Sequence, residues 1–152
     1  MEIAIIDFAR NVANLKDANS TEFDKDTANP VIIEREALNG ENSDNHSMRL
    51  GRYNVTLVEN TYARRLYGMP NISERHRNMY EFNNYYKEEF ENLGLVFSGI
   101  NMENNWVEVI EYNDHPFFVA CGYHPEFKTR PNKPHPLYVG FVNQAIANKK
   151  KN

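Results

Sequence analysis

Apolar residues at Ile3, Ile5, Ile6, Ala9, Val12, Ala13 and Leu15 recur every three or four positions, the period of a helix with a wide buried face. No capping side chain precedes that helix. A polar stretch, KDANSTEFDKDTANP, comes next, and the β-branched run Val31, Ile32 and Ile33 is short enough for a buried strand. Residues 34–47, rich in Asn, Glu, Ser and Asp, predict an exposed loop. In MRLGRYNVTLVE the period falls to two, with Tyr53, Val55 and Leu57 on one face of a half-buried strand. NTYARRLYG then predicts a short helix capped by Asn60 and stopped by Gly68, and NNYYKEEFENLG repeats that order of cap, helix and glycine.

After Gly94 three strands are expected in succession, LVFSGI, WVEVIEY and PFFVACGY. The middle one alternates Trp106, Glu108 and Ile110 against Val107, Val109 and Glu111. Asn104-Asn105 and Asn113-Asp114 supply turn residues between them, so the three strands form a meander. A proline-rich loop, RPNKPHP, leads into a last helix, LYVGFVNQAIANKK. The fold class is mixed α/β, with helices near both ends to cover the sheet faces.

With 152 residues, 41% of them hydrophobic, the chain is large enough for one domain with a sizeable core. A net charge of −4 gives no long-range attraction for nucleic acid, and the basic run Lys149, Lys150 and Lys151 reads as a solvated end. A single cysteine excludes an intrachain disulfide and a cysteine-rich zinc site, which fits an intracellular protein. MEIAIIDFARN lacks the basic lead-in and cleavage site of a secretory signal, and no apolar run approaches the ~18 residues of a membrane span. The expectation is a cytoplasmic protein with no nucleic-acid or membrane partner.

CGYHPEF places a thiol, an imidazole and a carboxylate within a few positions. Pro125 fixes its own φ and extends the residue before it, so His124 and Glu126 project to one side, where the carboxylate can orient the imidazole. The alternative is an ordinary surface His-Glu pair. Cys121, three positions before His124, falls on the opposite face about 10 Å away at ~3.3 Å per residue, unless Gly122 bends the chain. SERHRNMYE gathers Glu74, Arg75, His76, Arg77 and Glu81, either to hold an anion or as a surface ion-pair network. Glu22 in NSTEF could accept a substrate ammonium or simply flank a helix. His115 and His135, beside prolines, read as loop residues; no metal-binding spacing and no glycine-rich phosphate loop occurs.

Several strings together, FARNVANLKDANSTEFD, MRLGRY, ISERHR, YEFNN, GLVFSG, VEVIEYNDHPFFVACGYHPEFKTRP and PHPLYVGFV, resemble the class I glutamine amidotransferase domain of the CTP synthase family. YHPEF alone marks the superfamily; DANSTEF, ISERHR and the HPEF-to-PHPL ending are narrower. The resemblance implies a flavodoxin-like three-layer sandwich. In that family a cysteine at a strand-to-helix elbow attacks the side-chain amide of L-glutamine, a histidine relays the proton and a glutamate orients the histidine. The ammonia passes to a synthetase domain, which uses ATP and magnesium to convert UTP to CTP; no cofactor is implied in the amidotransferase domain itself. His124 and Glu126 match the last two triad members, and Glu22 the carboxylate that holds glutamine.

Two departures accompany the resemblance. The family's nucleophile lies in a CLGMQ-type stretch just before the first helix, and Met1-Glu2 match its end. Residues 1–152 are therefore expected to be a single, N-terminally truncated domain lacking the nucleophile, the oxyanion-hole glycines and the earlier strands. In RHRNMYE, Met79 stands where the family has an arginine that clamps the glutamine carboxylate, and a thioether cannot form that bidentate contact. The chain alone is expected to be inactive and to work with the missing N-terminal half and the synthetase domain, in an assembly compatible with a homo-oligomer. A degenerate binding or regulatory module without catalysis is the alternative, and a stand-alone hydrolase using Cys121 is a third reading.

Overall fold

The computed structural model describes residues 1–34 and 48–150. Helix α1 (Glu2–Asn11) forms as its spacing predicts, starts at Met1 without a side-chain cap, and buries Ile5, Ile6, Phe8 and Ala9. Ile3, expected inside, is instead 65% exposed. At ~100° per residue it lies about 140° around the helix from the centre of the buried stripe.

The polar stretch after α1 hides a strand. β1 (Ala18–Ser20) runs parallel to β2 (Asn29–Glu34), and β5 (Tyr80–Phe82) pairs antiparallel with β2 on its other side. β1 and β5 span three residues each, too few for a period of two to be read. The loop expected over 34–47 lies, from 35 on, outside the described residues.

The second sheet is antiparallel, in the order β4-β3-β6-β7-β8, from β3 (Arg49–Leu57), β4 (Asn71–Asn78), β6 (Leu95–Asn101), β7 (Trp106–Tyr112) and β8 (Val119–Cys121). The meander of β6, β7 and β8 is as the turn residues predict, although only three residues of PFFVACGY pair. The sequence pattern does not predict β4, because its residues are mostly polar; Ile72, Glu74 and His76 point inward while Asn71, Arg75 and Arg77 face out.

Helix α2 (Tyr62–Tyr67) is capped by Thr61 rather than Asn60: the Thr61 hydroxyl accepts from the Arg64 amide at 3.3 Å, while Asn60 is left-handed at φ 64°. Gly68 stops it at φ 69°, where a side chain would be strained. Asn83 caps a 3-10 turn that leads into α3 (Lys87–Asn92), and α4 (Pro136–Lys149) closes the chain.

Two apolar clusters hold these elements together. Ile5, Ile6 and Phe8 of α1 pack with Ile32, Phe82, Phe90, Phe97 and Ile110. Val55, Leu57, Ala63, Val109, Tyr123 and Leu137 form the second cluster, under α2 and α4. β7 lies between them, so all its residues but Tyr112 are buried, Glu108 and Glu111 included. Its Glu111 is buried by design of the helix above: the two carboxylate oxygens accept from the amides of Tyr62 and Ala63 at 2.7 Å each, neutralising the start of α2.

Candidate active site

β8 ends at Cys121, and the chain turns through a 3-10 segment, Pro125–Phe127, that Pro125 starts. His124 is extended at φ −109°, as a residue before proline should be, and its Nδ1 lies 2.7 Å from Glu126 Oε1. This hydrogen bond holds the Glu126 carboxyl below its ordinary 4.5. An ionised carboxylate only accepts, so Nδ1 carries the proton and donates it, and in the neutral imidazole the lone pair is then on Nε2, the atom able to act as a base. The two side chains are 34% and 52% exposed, within reach of a substrate. The imidazole stacks on Phe127 with centroids 5.1 Å apart, and the His124 amide donates to the Arg75 carbonyl at 2.9 Å.

Cys121 does not join them. Its thiol donates to the Tyr123 carbonyl at 3.5 Å, and burial pushes it up to about 12, so the thiolate an attack requires is not formed near neutrality. Cys121 and His124 do line one cleft of about 350 Å³, together with Glu2, Arg77, Asn78 and Tyr123. Glu22 is exposed on the turn after β1, where its amide donates to the Ser20 hydroxyl at 3.2 Å. Burial raises the Glu2 carboxyl, opposed by the N-terminal amine and aided by the negative charge of Glu22. Met79 is half-buried in the bend between β4 and β5, next to Asn78 of the same cleft. His115 is an exposed loop residue, whereas His135 is buried, caps α4 by accepting from the Leu137 amide at 3.3 Å, and lies 3.0 Å from the Tyr67 hydroxyl.

The cluster over 73–81 divides: Arg75 and Arg77 face out, whereas Glu74, His76 and Glu81 are buried, the last two beside Arg49. Arg49, fully buried, donates from Nη1 to Glu81 at 2.8 Å and from Nη2 to Glu108 and to His76 Nε2, the latter at 3.4 Å. The guanidinium also lies 4.3 Å from the Tyr53 ring and 4.6 Å from that of Trp106. Among the described residues, the Arg49 guanidinium thus faces both buried carboxyls. Burial, only partly opposed by Arg49, pushes Glu108 up to about 7, while burial and then Arg49 push His76 down to about 3 and keep its imidazole neutral. This network supports the site strand from below: the Gly122 amide donates to the Glu108 carbonyl at 2.9 Å, and a Cβ on Gly122 would sit 3.7 Å from Glu108 Oε2. No local pattern announced it, since Arg49, Glu81 and Glu108 belong to three different strands.

The two shifts act on stability with opposite signs. Glu108, raised from 4.5 to about 7, stabilises the fold fully below 4.5 and loses that contribution as pH rises through 7. His76, depressed from 6.5 to about 3, contributes above 6.5 and loses it as pH falls through 3. Between 4.5 and 6.5 their slopes cancel. A Glu108→Gln variant should therefore gain a positive slope relative to the parent there, up to about 1.4 kcal/mol per pH unit, in urea midpoints measured across that window. Parallel slopes in the two proteins would contradict it.

A family model described as glutamine amidotransferase class-I matches residues 1–144. The CTP synthase of Geotalea uraniireducens (strain Rf4) is 47% identical over 148 residues, covering 97% of this chain and 28% of that relative. The CTP synthase of Coprothermobacter proteolyticus is 50% identical over 153 residues, covering 97% of this chain and 27% of the relative. The chain thus spans little more than a quarter of the length of these curated relatives. A solved structure, the glutaminase domain of Trypanosoma brucei CTPS with bound acivicin, superposes with a TM-score of 0.89 at 33% identity, over 97% of this chain and 57% of that one.

Proposed function

Because the chain belongs to the class I glutamine amidotransferase family, we propose that it carries the base-and-orienter part of a glutaminase whose ammonia serves the ATP-dependent amination of UTP to CTP. The reading rests chiefly on the 2.7 Å contact of His124 Nδ1 with Glu126, which frees Nε2 at the lip of the cleft. In such a reaction a thiol gives its proton to Nε2 and its sulfur attacks the side-chain amide carbon of glutamine. The imidazolium, held by Glu126, returns that proton to the departing ammonia. Nε2 then takes a proton from the water that releases glutamate. Glu22, exposed on the turn after β1, is assigned to the substrate ammonium.

The nucleophile is assigned to polypeptide outside these 152 residues, since the half-buried Cys121 thiol donates to the Tyr123 carbonyl and holds its proton tightly. These residues act as one folded unit within a longer ligase of pyrimidine biosynthesis, in the cytoplasm, with ATP and magnesium held by the synthetase domain and no cofactor in this one. No helix among the described residues is long and apolar enough to cross a membrane. Phe141, Val142 and Ile146 of α4, each at least half exposed, favour a neighbouring protein surface over solvent.

Ammonia release from glutamine tests the reading. The chain alone should release none above background, and addition of a polypeptide bearing the cysteine elbow should restore release. Release by the chain alone that Cys121→Ala abolishes would overturn the assignment of the nucleophile. A stable complex that never releases ammonia would instead favour a binding module.

A further inference from the structure

We propose that Lys128 positions the His124–Glu126 pair by fastening the turn that carries it to the open edge of β4, an assignment that rests on the base-and-orienter reading above. β4 is the outermost strand of its sheet, with β3 on one side only. Its carbonyls that face away from β3 need partners from elsewhere in the chain. The segment after β8 brings two. The His124 amide donates to the Arg75 carbonyl at 2.9 Å, and Lys128 Nζ donates to the Ser73 carbonyl at 2.5 Å. Ser73 and Arg75 are two positions apart in an extended strand, so their carbonyls share an edge about 6.6 Å apart.

Residues 124–128 are therefore a strut held at both ends, with Glu126 at its middle. The 3-10 turn between the anchors closes on itself, the Phe127 amide donating to the His124 carbonyl and the Lys128 amide to the Pro125 carbonyl, both at 3.1 Å. The far anchor is itself deeply set. Lys128 Nζ also lies 3.2 Å from Glu74 Oε1, a carboxylate 1% exposed that accepts from the Tyr67 hydroxyl at 3.1 Å and lies 3.4 Å from His135 Nε2. Tyr123, just before His124, meets the same Tyr67 hydroxyl at 3.0 Å. Glu126, half exposed, has only His124 as a side-chain partner among the described contacts. Without the Lys128 anchor, the His124 amide is the one described hydrogen bond left between the turn and the β4 edge, and the carboxylate is free to leave the imidazole.

The test is the titration of the Glu126 carboxyl in the full 152-residue chain, followed by carbon-13 NMR. Its depression below 4.5 comes first from the hydrogen bond to His124, and Lys128 is not among its causes, so the signal reports the pair's geometry. Lys128→Leu and Lys128→Met, which lack a donor, should both move it up toward 4.5, and Lys128→Arg, which keeps one, should bring it back down. Both neutral variants leave Tyr67 and His135 on Glu74, which keeps the fold in place. If the neutral variants lower the melting temperature but leave the Glu126 titration unmoved, Lys128 is merely structural and the assignment is overturned. An ordinary Glu126 titration in the unsubstituted chain would instead sink the base-and-orienter reading itself.

Discussion

Arg49→Met should destabilise the chain by about 3–5 kcal/mol, the cost of removing one partner from a buried ion network and leaving its charges uncompensated. In urea that is a midpoint lower by about 2 M. The guanidinium is fully buried and holds Glu81, Glu108 and His76 together, so its loss strands groups that water cannot reach. Two effects compete. Protonation of Glu108, already pushed up to about 7, would relieve part of the penalty at low pH, so the loss should be larger at pH 8 than at pH 5. Glu81 keeps its Asn78 donor at 2.8 Å, but a neutral amide does not replace the lost guanidinium charge. Adding Glu81→Leu and Glu108→Leu to Arg49→Met should recover most of the stability, because a whole buried ion network often exchanges for apolar side chains at little net cost. A single variant within 1 kcal/mol of the parent, or a triple variant no better than the single, would show that the network is solvated.

How far the sequence could be read depended on whether a signal was local. Pro125 between His124 and Glu126 sets their geometry through one restricted φ, and the structure has the pair at 2.7 Å as that spacing implies. The strands of the meander were legible because each carries its own apolar run and its own turn residues. β4 was not legible: a strand with Glu74 and His76 inward reads as surface until the partners on β3, β7, α2 and α4 are known. Lys128 was equally hidden, because the carbonyl it meets lies 55 positions away along the chain. The helix cap slipped by one residue for a local reason, since Asn60 tolerates positive φ and thereby leaves the β-branched Thr61 in the extended geometry a cap needs.

His124→Ala, in the enzyme reassembled with its cysteine elbow, should lower the rate of ammonia release by about 10³–10⁴-fold, the upper range for removing a general acid-base. Among the described residues lining the cleft, Arg77 cannot give up its proton, and burial raises the Cys121 thiol and the Tyr123 hydroxyl, so none of these stands in for Nε2. Glu126→Gln should cost only on the order of 10-fold. Its amide oxygen still accepts from Nδ1, and with the native carboxylate half exposed, solvent screens the charge that is lost. For the same reason the penalty of Glu126→Gln should shrink at high salt, while that of His124→Ala should not. Equal losses for the two variants, independent of salt, would mean that the carboxylate is buried in the working assembly. The partner would then have to close over Phe127 and the turn, and the gap between base and orienter would measure how completely it excludes water.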